Sequence, residues 1–256
     1  MRAADAPLVA GAALVFVASA ALTVYWSAAM PPMAMDMPGG WTMSMTWMRM
    51  PGQGWAGATV SFVAMWSVMM VAMMLPAFVP MLMRYRDARP GAAPIELLAV
   101  GAGYFGAWAA LGLACWPVGV AVMHLAMRDA AVSRAIPLLS AATLLLAGAW
   151  QLTRWKFREL ARCRDESHRE RAPCCAARVE EPPLHHGWRL GLRCLRCCAP
   201  LTLLLLVMGA MDLVAMIGVT AAISLERLAP RGERWARVIG FVVLLAGLSA
   251  LVRALE

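Results

Sequence analysis

Fifteen of the twenty-one methionines lie between residues 30 and 83, in a polar loop and in the apolar segment that follows it. The loop reads MPPMAMDMPGGWTMSMTWMRMPG, and the segment contains MWSVMMVAMMLP. A thioether is a soft, uncharged ligand that suits Cu(I) better than a hard cation. Methionine also fills irregular gaps in cores, but a polar loop has no core to fill. The pattern therefore favours the handling of a soft metal.

The Met-rich loop, residues 30–55, contains several Met-x-Met steps. Residues i and i+2 of an extended chain project to the same side, so each step can present two sulfurs to one ion. Two or three thioethers suit Cu(I) or another soft ion and bind Zn²⁺ weakly. The candidate ligands in this loop are Met33, Met35, Met37, Met43 and Met45. The alternative is a surface loop whose Met and Trp residues enter the membrane interface.

The apolar segment carries a ladder of methionines at helical spacing. Met65, Met69 and Met73 are four residues apart and share one face of a helix, while Met70 and Met74 form an adjoining ridge. Such a ladder could pass Cu(I) across a membrane by ligand exchange. The alternative is tight helix packing by a flexible apolar side chain.

Two isolated polar residues extend the candidate metal ligands. Asp212 lies deep in an apolar run one helical turn after Met208, and both are expected opposite the methionine ladder. A charge at mid-membrane costs at least ~2.5–3.5 kcal/mol, so Asp212 needs a partner or a cavity. It completes a metal site, carries a proton, or is a protonated acid that bonds a neighbouring helix. His124, beside Met123 and Met127, is a mixed copper ligand or a solvated interfacial side chain.

Six of the seven cysteines lie in or beside residues 158–198, which also hold three histidines. Cys194-x-x-Cys197 has the spacing of a metal-binding thiolate pair, and Cys198 follows it directly. The many arginines nearby favour the thiolate form. The alternatives are lipid-modified or inert interfacial cysteines.

Composition places these residues in a membrane protein. The chain is 62% hydrophobic, with a mean hydropathy of +0.67, whereas soluble domains are about 45–50% apolar. Apolar stretches of ~18 residues or more indicate membrane spans. We predict one all-α membrane domain over residues 1–256, a polytopic bundle of about six transmembrane helices. The predicted spans are residues 8–29, 56–83, 97–127, 135–157, 199–225 and 235–255.

The net charge of +8 comes almost entirely from arginine. The arginines sit in short loops between apolar spans, so they indicate topology and lipid contact and argue against nucleic-acid binding. The basic segments 84–94 and 154–196 are predicted inside. This topology puts both termini in the cytoplasm of a bacterial cell, the chain in the inner membrane and the Met-rich loop outside. The arginines of residues 227–237 then fall outside, against the rule.

Three motifs in order resemble one family. The first is MWSVMMVAMMLP at residues 65–76, and the second is Gln151-Leu152-Thr153 followed by Lys156. The third is GLRCLRCC at residues 191–198, followed by MGAMDL. Together they resemble an uncharacterised bacterial family of predicted metal-binding integral membrane proteins, over about residues 55–230. The resemblance implies a membrane fold and metal binding.

This chain differs from the family pattern at two of these motifs. It has Asp212 where the pattern has Asn, and Arg154 where the pattern has Pro. The first difference puts a charge into the membrane. The polar residues Gln151, Thr153 and Lys156 close the fourth predicted span, and we expect them to cap a helix or to contact the cysteine segment.

The predicted function is to bind a soft metal, Cu(I) above others, and to move it across the inner membrane through the methionines and the inner thiols. The alternative is a non-transporting subunit that donates metal to a membrane or periplasmic metalloprotein. A thiol oxidoreductase using Cys194 and Cys197 is a third reading. The sequence shows no nucleophile–base pair, phosphate loop or haem-attachment motif, so an enzyme is not predicted. The expected partners are the metal ion and the lipid bilayer, with a homo-oligomer left open.

Overall fold

The apolar stretches form helices because a chain inside hydrocarbon must satisfy its backbone hydrogen bonds within itself. The computed structural model describes residues 6–29, 35–43, 47–49, 52–89, 91–169, 181–209 and 212–255. The helices in this part are α1 (Ala6–Ala29), α2 (Trp55–Ala88), α3 (Pro94–Arg128), α4 (Ala130–Gln151), α5 (Arg154–Arg169), α6 (Pro183–Met208), α7 (Leu213–Leu228) and α8 (Gly232–Leu255). All except α5 and α7 are long and apolar enough to cross a membrane. The predicted all-α bundle of about six such helices is confirmed.

The Met-rich loop contributes a short antiparallel hairpin that lies against the bundle. Its strands are β1 (Met35–Met37) and β2 (Trp41–Met43). The Trp41 indole N–H donates to the Ser133 carbonyl at 3.0 Å, and the Ser133 hydroxyl donates to the Pro38 carbonyl at 2.7 Å. These bonds tie the hairpin to the first turn of α4.

The fifth predicted span, residues 199–225, is wrong as a single helix. The chain breaks between α6 and α7, where Gly209 has a φ of 110°, a value that glycine adopts without steric cost. The Asp212 carboxylate then caps α7 by accepting from the Ala215 backbone N–H at 2.8 Å. The residues on both sides of the break are apolar, so hydropathy alone does not reveal it.

Because of this break, α6 and α7 form a helical hairpin. Arg227, in the last turn of α7, contacts Cys194 in the first half of α6. α7 has 16 residues, or about 24 Å at 1.5 Å per residue, which is less than the ~30 Å of a hydrocarbon core. It nevertheless returns the chain to the end of the bundle from which α6 starts.

The arginines that follow α7 therefore lie at the same end of the bundle as the described arginines of residues 154–164 and 189–196. Arg164 donates to the Pro230 carbonyl at 3.3 Å, and the Arg237 guanidinium lies 5.2 Å from the centre of the Phe157 ring. We call this end, where α5 begins and α7 ends, the arginine-rich end. The conflict between these arginines and the arginine rule is thereby removed.

α8 runs antiparallel to α4. A Cβ on Gly240 would lie 3.3 Å from the Gln151 Cβ, and one on Gly247 would lie 2.9 Å from the Leu145 nitrogen. α4 ends at the arginine-rich end, so α8 begins there and ends, at Leu255, at the opposite end. If the arginine-rich end faces inside, the C-terminus lies outside. The prediction that the arginines and the C-terminus both lie inside therefore does not fit this arrangement.

Glycines allow α3 and α6 to approach each other closely. A Cβ on Gly187 would overlap the Val100 carbonyl oxygen, and one on Gly191 would lie 2.6 Å from the Tyr104 carbonyl oxygen. Real Cβ atoms do not approach backbone so closely, so glycine is required at these positions. The approach brings Tyr104 of α3 onto Cys194 of α6.

Replacing Gly187 with alanine should loosen this contact, because the added methyl group overlaps the α3 backbone. Overpacking of a buried contact costs about 1–3 kcal/mol. Gly218→Ala is the control, since nothing lies within 4 Å of a Cβ there and alanine favours a helix over glycine by roughly 0.5–1 kcal/mol. Thermal unfolding in detergent, followed by circular dichroism, should show a lower midpoint for the first variant only. Equal midpoints would contradict the close approach.

Candidate soft-metal site

Four cysteine side chains are buried together near the arginine-rich end. Cys163 comes from α5, while Cys194, Cys197 and Cys198 come from α6. Residues four apart share one helix face, and the sulfurs of Cys194 and Cys198 lie 3.8 Å apart. Cys197 lies within hydrogen-bonding reach of Cys163 on one side and of Cys198 on the other, and all four are reduced thiols. These residues form what we call the thiol row, in the order Cys163, Cys197, Cys198, Cys194.

The thiols are arranged differently from the predicted Cys194-x-x-Cys197 pair. The hydrogen bonds link those two sulfurs through Cys198 rather than directly. In the part of the chain that the structure describes, no three His, Cys, Asp or Glu side chains are grouped so as to hold a metal ion. A soft ion bound among these thiols would therefore need a ligand of another type.

Arg227 reaches the Cys194 end of the thiol row from α7. Its Nη1 donates to the Cys194 sulfur at 3.0 Å, and its Nη2 donates to the Met81 sulfur at 2.9 Å. The Tyr104 hydroxyl also donates to the Cys194 sulfur, at 3.0 Å. A guanidinium and a hydroxyl that donate to one sulfur suit a sulfur with negative charge. A thiol, a thioether and a cation therefore meet at this point.

Lys156 of α5 lies beside the middle of the thiol row in a buried ion pair. Its ammonium is 2.7 Å from the Glu226 carboxylate and donates to the Cys197 carbonyl, and both charged side chains are almost fully buried. The Gln151 amide donates to the other Glu226 oxygen. Burial alone would lower the pKa of Lys156, but Cys197 and Glu226 outweigh it and hold that pKa above its usual value. The ammonium therefore stays charged.

The polar residues at the start of α5 behave as the sequence predicts. The Thr153 hydroxyl accepts from the Lys156 backbone N–H at 3.2 Å and so caps α5, while the Lys156 side chain contacts the cysteine segment. Cys163 lies seven residues further on, on nearly the same face of α5. Its hydrogen bond to Cys197, together with burial, raises the pKa of the Cys163 thiol well above its usual value. Cys163 is therefore the protonated, donating end of the thiol row.

The predicted methionine ladder faces the interior of the bundle. The side chains of Met65, Met69 and Met73 are 9%, 1% and 2% exposed. They pack in one core with α3, α6 and α7. The sequence left open whether they face lipid or protein, and the structure places them against protein.

The adjoining ridge is the one that leads to the thiol row. Met70, Met74 and Met81 are four and seven residues apart, which at about 3.6 residues per turn places them on one face of α2. All three are buried. The Met81 sulfur contacts Arg227, so this ridge ends where the guanidinium meets Cys194.

Asp212 and Met208 lie away from this point. Asp212 caps α7 and is exposed, and Met208 is 53% exposed. Asp212 is also fifteen residues before Arg227, or about 22 Å along the helix. Met216, in the first turn of α7, packs into the core with the α2 methionines. The position of Asp212 and Met208 opposite the ladder, and their role as ligands, stay predictions.

The candidate ligands of the Met-rich loop are described in part. Met33 and Met45 lie outside the described residues, and the structure describes Met35 and Met43 by backbone alone, opposite each other in the hairpin. Met37 is buried at the hairpin and packs near the end of α3. Its role as a ligand stays a prediction.

His124 is separated from the thiol row by the length of α3. It is exposed, and it lies twenty residues after Tyr104, about 30 Å along the helix axis. The neighbouring Met123 packs against the hairpin side chains. His124 and the thiol row are therefore two separate locations.

Sequence reasoning missed Arg227, Met81 and Tyr104. The signal for Arg227 was the dipeptide Glu226-Arg227 at the end of an apolar helix, which was assigned to an outer loop. The helical hairpin turns both side chains into the bundle, where Glu226 meets Lys156 and Arg227 meets Cys194.

A comparison with known families identifies the chain over most of its length. Residues 63–250 match the family model PpoB2, described as a copper chaperone. The chain belongs to this copper chaperone family. No curated protein and no solved structure matches it. The family is copper-related, in agreement with the predicted resemblance to metal-binding membrane proteins, and it suggests a non-catalytic, metal-handling role.

Lys156→Met should destabilise this copper chaperone strongly, because it leaves Glu226 buried without its ammonium partner. Breaking a buried pair costs about 3–5 kcal/mol. Arg162→Met is the control, since Arg162 pairs with Glu159 but is 71% exposed, and exposed pairs contribute about 0–1 kcal/mol. Thermal unfolding in detergent should separate the two, and adding Glu226→Gln to the first variant should restore part of the loss. A wild-type midpoint for the single variant would refute the role of the pair.

Proposed function

We propose that this protein is a membrane chaperone that holds Cu(I) on buried sulfur ligands and donates it to a partner metalloprotein. The observation that carries the proposal is that the Cys194 and Cys198 sulfurs lie 3.8 Å apart. The Arg227 guanidinium, which donates to both Cys194 and Met81, brings the Met81 sulfur close to this pair. The ion would bind the two cysteine thiolates and the thioether. Copper is cargo here, bound and then released.

The geometry of the pair suits a metal–sulfur bond. Bonds of ~2.3 Å, as in zinc–thiolate sites, place two ligand sulfurs about 3.8 Å apart when the angle between them is close to tetrahedral. The Cys194 and Cys198 sulfurs already have this separation. Thiolate and thioether together favour Cu(I) over Zn²⁺, which prefers four thiolate, imidazole or carboxylate ligands.

We infer that the arginine-rich end faces the cytoplasm of a bacterial inner membrane. With α7 folded back, the arginines of residues 227–237 lie at one end with the described arginines of residues 154–164 and 189–196. The arginine rule expects such a cluster on the cytoplasmic side. A reducing cytoplasm keeps thiols free of disulfides. The thiol row would then exchange copper with cytoplasmic partners.

Movement of Cu(I) across the membrane is a second candidate. It is favoured by the buried ridge from Met70 to Met81, which covers about 16 Å at 1.5 Å per residue. The Met-rich loop, with Met33, Met35 and Met37, would load this ridge from the opposite end. A thiol oxidoreductase has less support, because the sulfurs of Cys194 and Cys197 are linked through Cys198.

Replacing Cys194 and Cys198 with serine should remove high-affinity Cu(I) binding. The loss of two thiolates should weaken binding by far more than the roughly 10–100-fold that loss of an outer-shell partner costs. Cys115→Ser is the control, since Cys115 lies on α3 outside the thiol row. Competition with a colorimetric Cu(I) chelator in detergent measures both variants. Unchanged affinity in the double variant would refute the site.

Replacing Met70 and Met74 with leucine separates donation from transport. Leucine keeps the apolar packing but removes both sulfurs, so binding at Cys194 and Cys198 should persist. A transporter would lose Cu(I) flux into proteoliposomes, whereas a chaperone would show no flux above that of empty vesicles in any variant. Flux through wild-type protein that the double variant abolishes would favour the second candidate.

A further inference from the structure

We propose that the Arg227 guanidinium occupies the position that Cu(I) takes when it binds, so that loading and release of copper require this side chain to move out and back. The inference rests on the proposed function, because it assigns Cys194 and Met81 as ligands. It makes Arg227 a cation that competes with the cargo.

Arg227 contacts the sulfur atoms that a bound soft cation would contact. Two nitrogens of one planar group contact two sulfurs, with Nη1 at 3.0 Å from Cys194 and Nη2 at 2.9 Å from Met81. The guanidinium therefore lies between a thiol and a thioether. Arginine ordinarily pairs with carboxylate or phosphate, and a thioether is a weak acceptor. Nη1 also lies 3.3 Å from the Tyr104 hydroxyl. The guanidinium thus fills the space between the two sulfurs.

Space is the reason why the two cations exclude each other. The guanidinium nitrogens contact the Cys194 and Met81 sulfurs, which are the atoms that would ligate Cu(I). The ion therefore cannot bind between these sulfurs until the guanidinium leaves. Cys198 gives its proton to solvent when it binds the ion as a thiolate. Copper–sulfur bonds replace N–H···S hydrogen bonds, and Cu(I) keeps its oxidation state.

The position of Arg227 in α7 allows the exchange. The residue lies in the last turn of the helix and is only half-buried, so its side chain can swing toward solvent at the arginine-rich end. The preceding Glu226 is fully buried and held by Lys156 and Gln151. Glu226 thus anchors α7, while the Arg227 side chain can exchange its place with Cu(I).

The test compares Cu(I) affinity among variants of the full-length protein in detergent. Arg227→Gln removes the competing charge, and displacement predicts that it binds Cu(I) at least about tenfold more tightly than wild type. Arg227→Lys, which keeps the charge but cannot contact both sulfurs at once, should lie between them. Arg231→Gln is the control, because Arg231 is exposed at the same end of the bundle. Its affinity should equal that of wild type.

Hydrogen exchange of wild-type protein gives a second readout that does not depend on a variant folding. Cu(I) should speed amide exchange in the last turn of α7, and the Cys194→Ser/Cys198→Ser protein should show no such change. Slower or unchanged exchange in wild type would overturn the inference.

The outcomes distinguish this inference from the proposed function. If wild-type protein binds no Cu(I), the proposed function fails. If wild type binds Cu(I) but Arg227→Gln binds it equally or more weakly, then Arg227 serves to stabilise the Cys194 thiolate. In that case the inference alone is overturned.

Discussion

At the arginine-rich end, the Lys156 ammonium is buried and the Arg227 guanidinium is half-buried, and both need negative partners inside an apolar bundle. Lys156 pairs with Glu226 and also donates to the Cys197 carbonyl. Gln151 donates to the other oxygen of Glu226. Arg227 donates to the sulfur of Cys194. Because an unpaired buried charge is more costly than most packing defects, this requirement fixes how α5, α6 and α7 meet, and it places four thiols beside two cations.

The break between α6 and α7 makes this junction possible. A single helix through this region would carry Glu226 and Arg227 about 48 Å from Cys194, at 1.5 Å per residue. The positive φ of Gly209 and the Asp212 cap turn the chain back, so that the end of α7 meets the start of α6. Asp212 is therefore important for the site as the residue that begins α7, although it is far from the sulfurs. That role gives a structural reason for a carboxylate in this apolar stretch.

The sequence predicted the class of fold well, because six apolar stretches long enough to cross a membrane can be counted directly. It predicted neither the break nor the position of Arg227, because both depend on contacts between helices that hydropathy does not encode. The cysteines were recognised, but the spacing Cys194-x-x-Cys197 suggested a metal knuckle of the kind found in loops. On a helix, the residues that share a face are four apart, and the structure accordingly brings Cys194 and Cys198 together.

The same geometry separates the two methionine ridges of α2. Residues four apart drift by about 40° per step at 3.6 residues per turn, so the ladder of Met65, Met69 and Met73 winds gradually away around the helix. A step of seven corrects the drift to about 20° in the opposite sense, which brings Met81 back into line with Met74. Methionine spacing alone favoured the ladder because its three members are evenly spaced. Only the neighbouring helices show that the ridge, through Met81, meets the thiol row at Arg227.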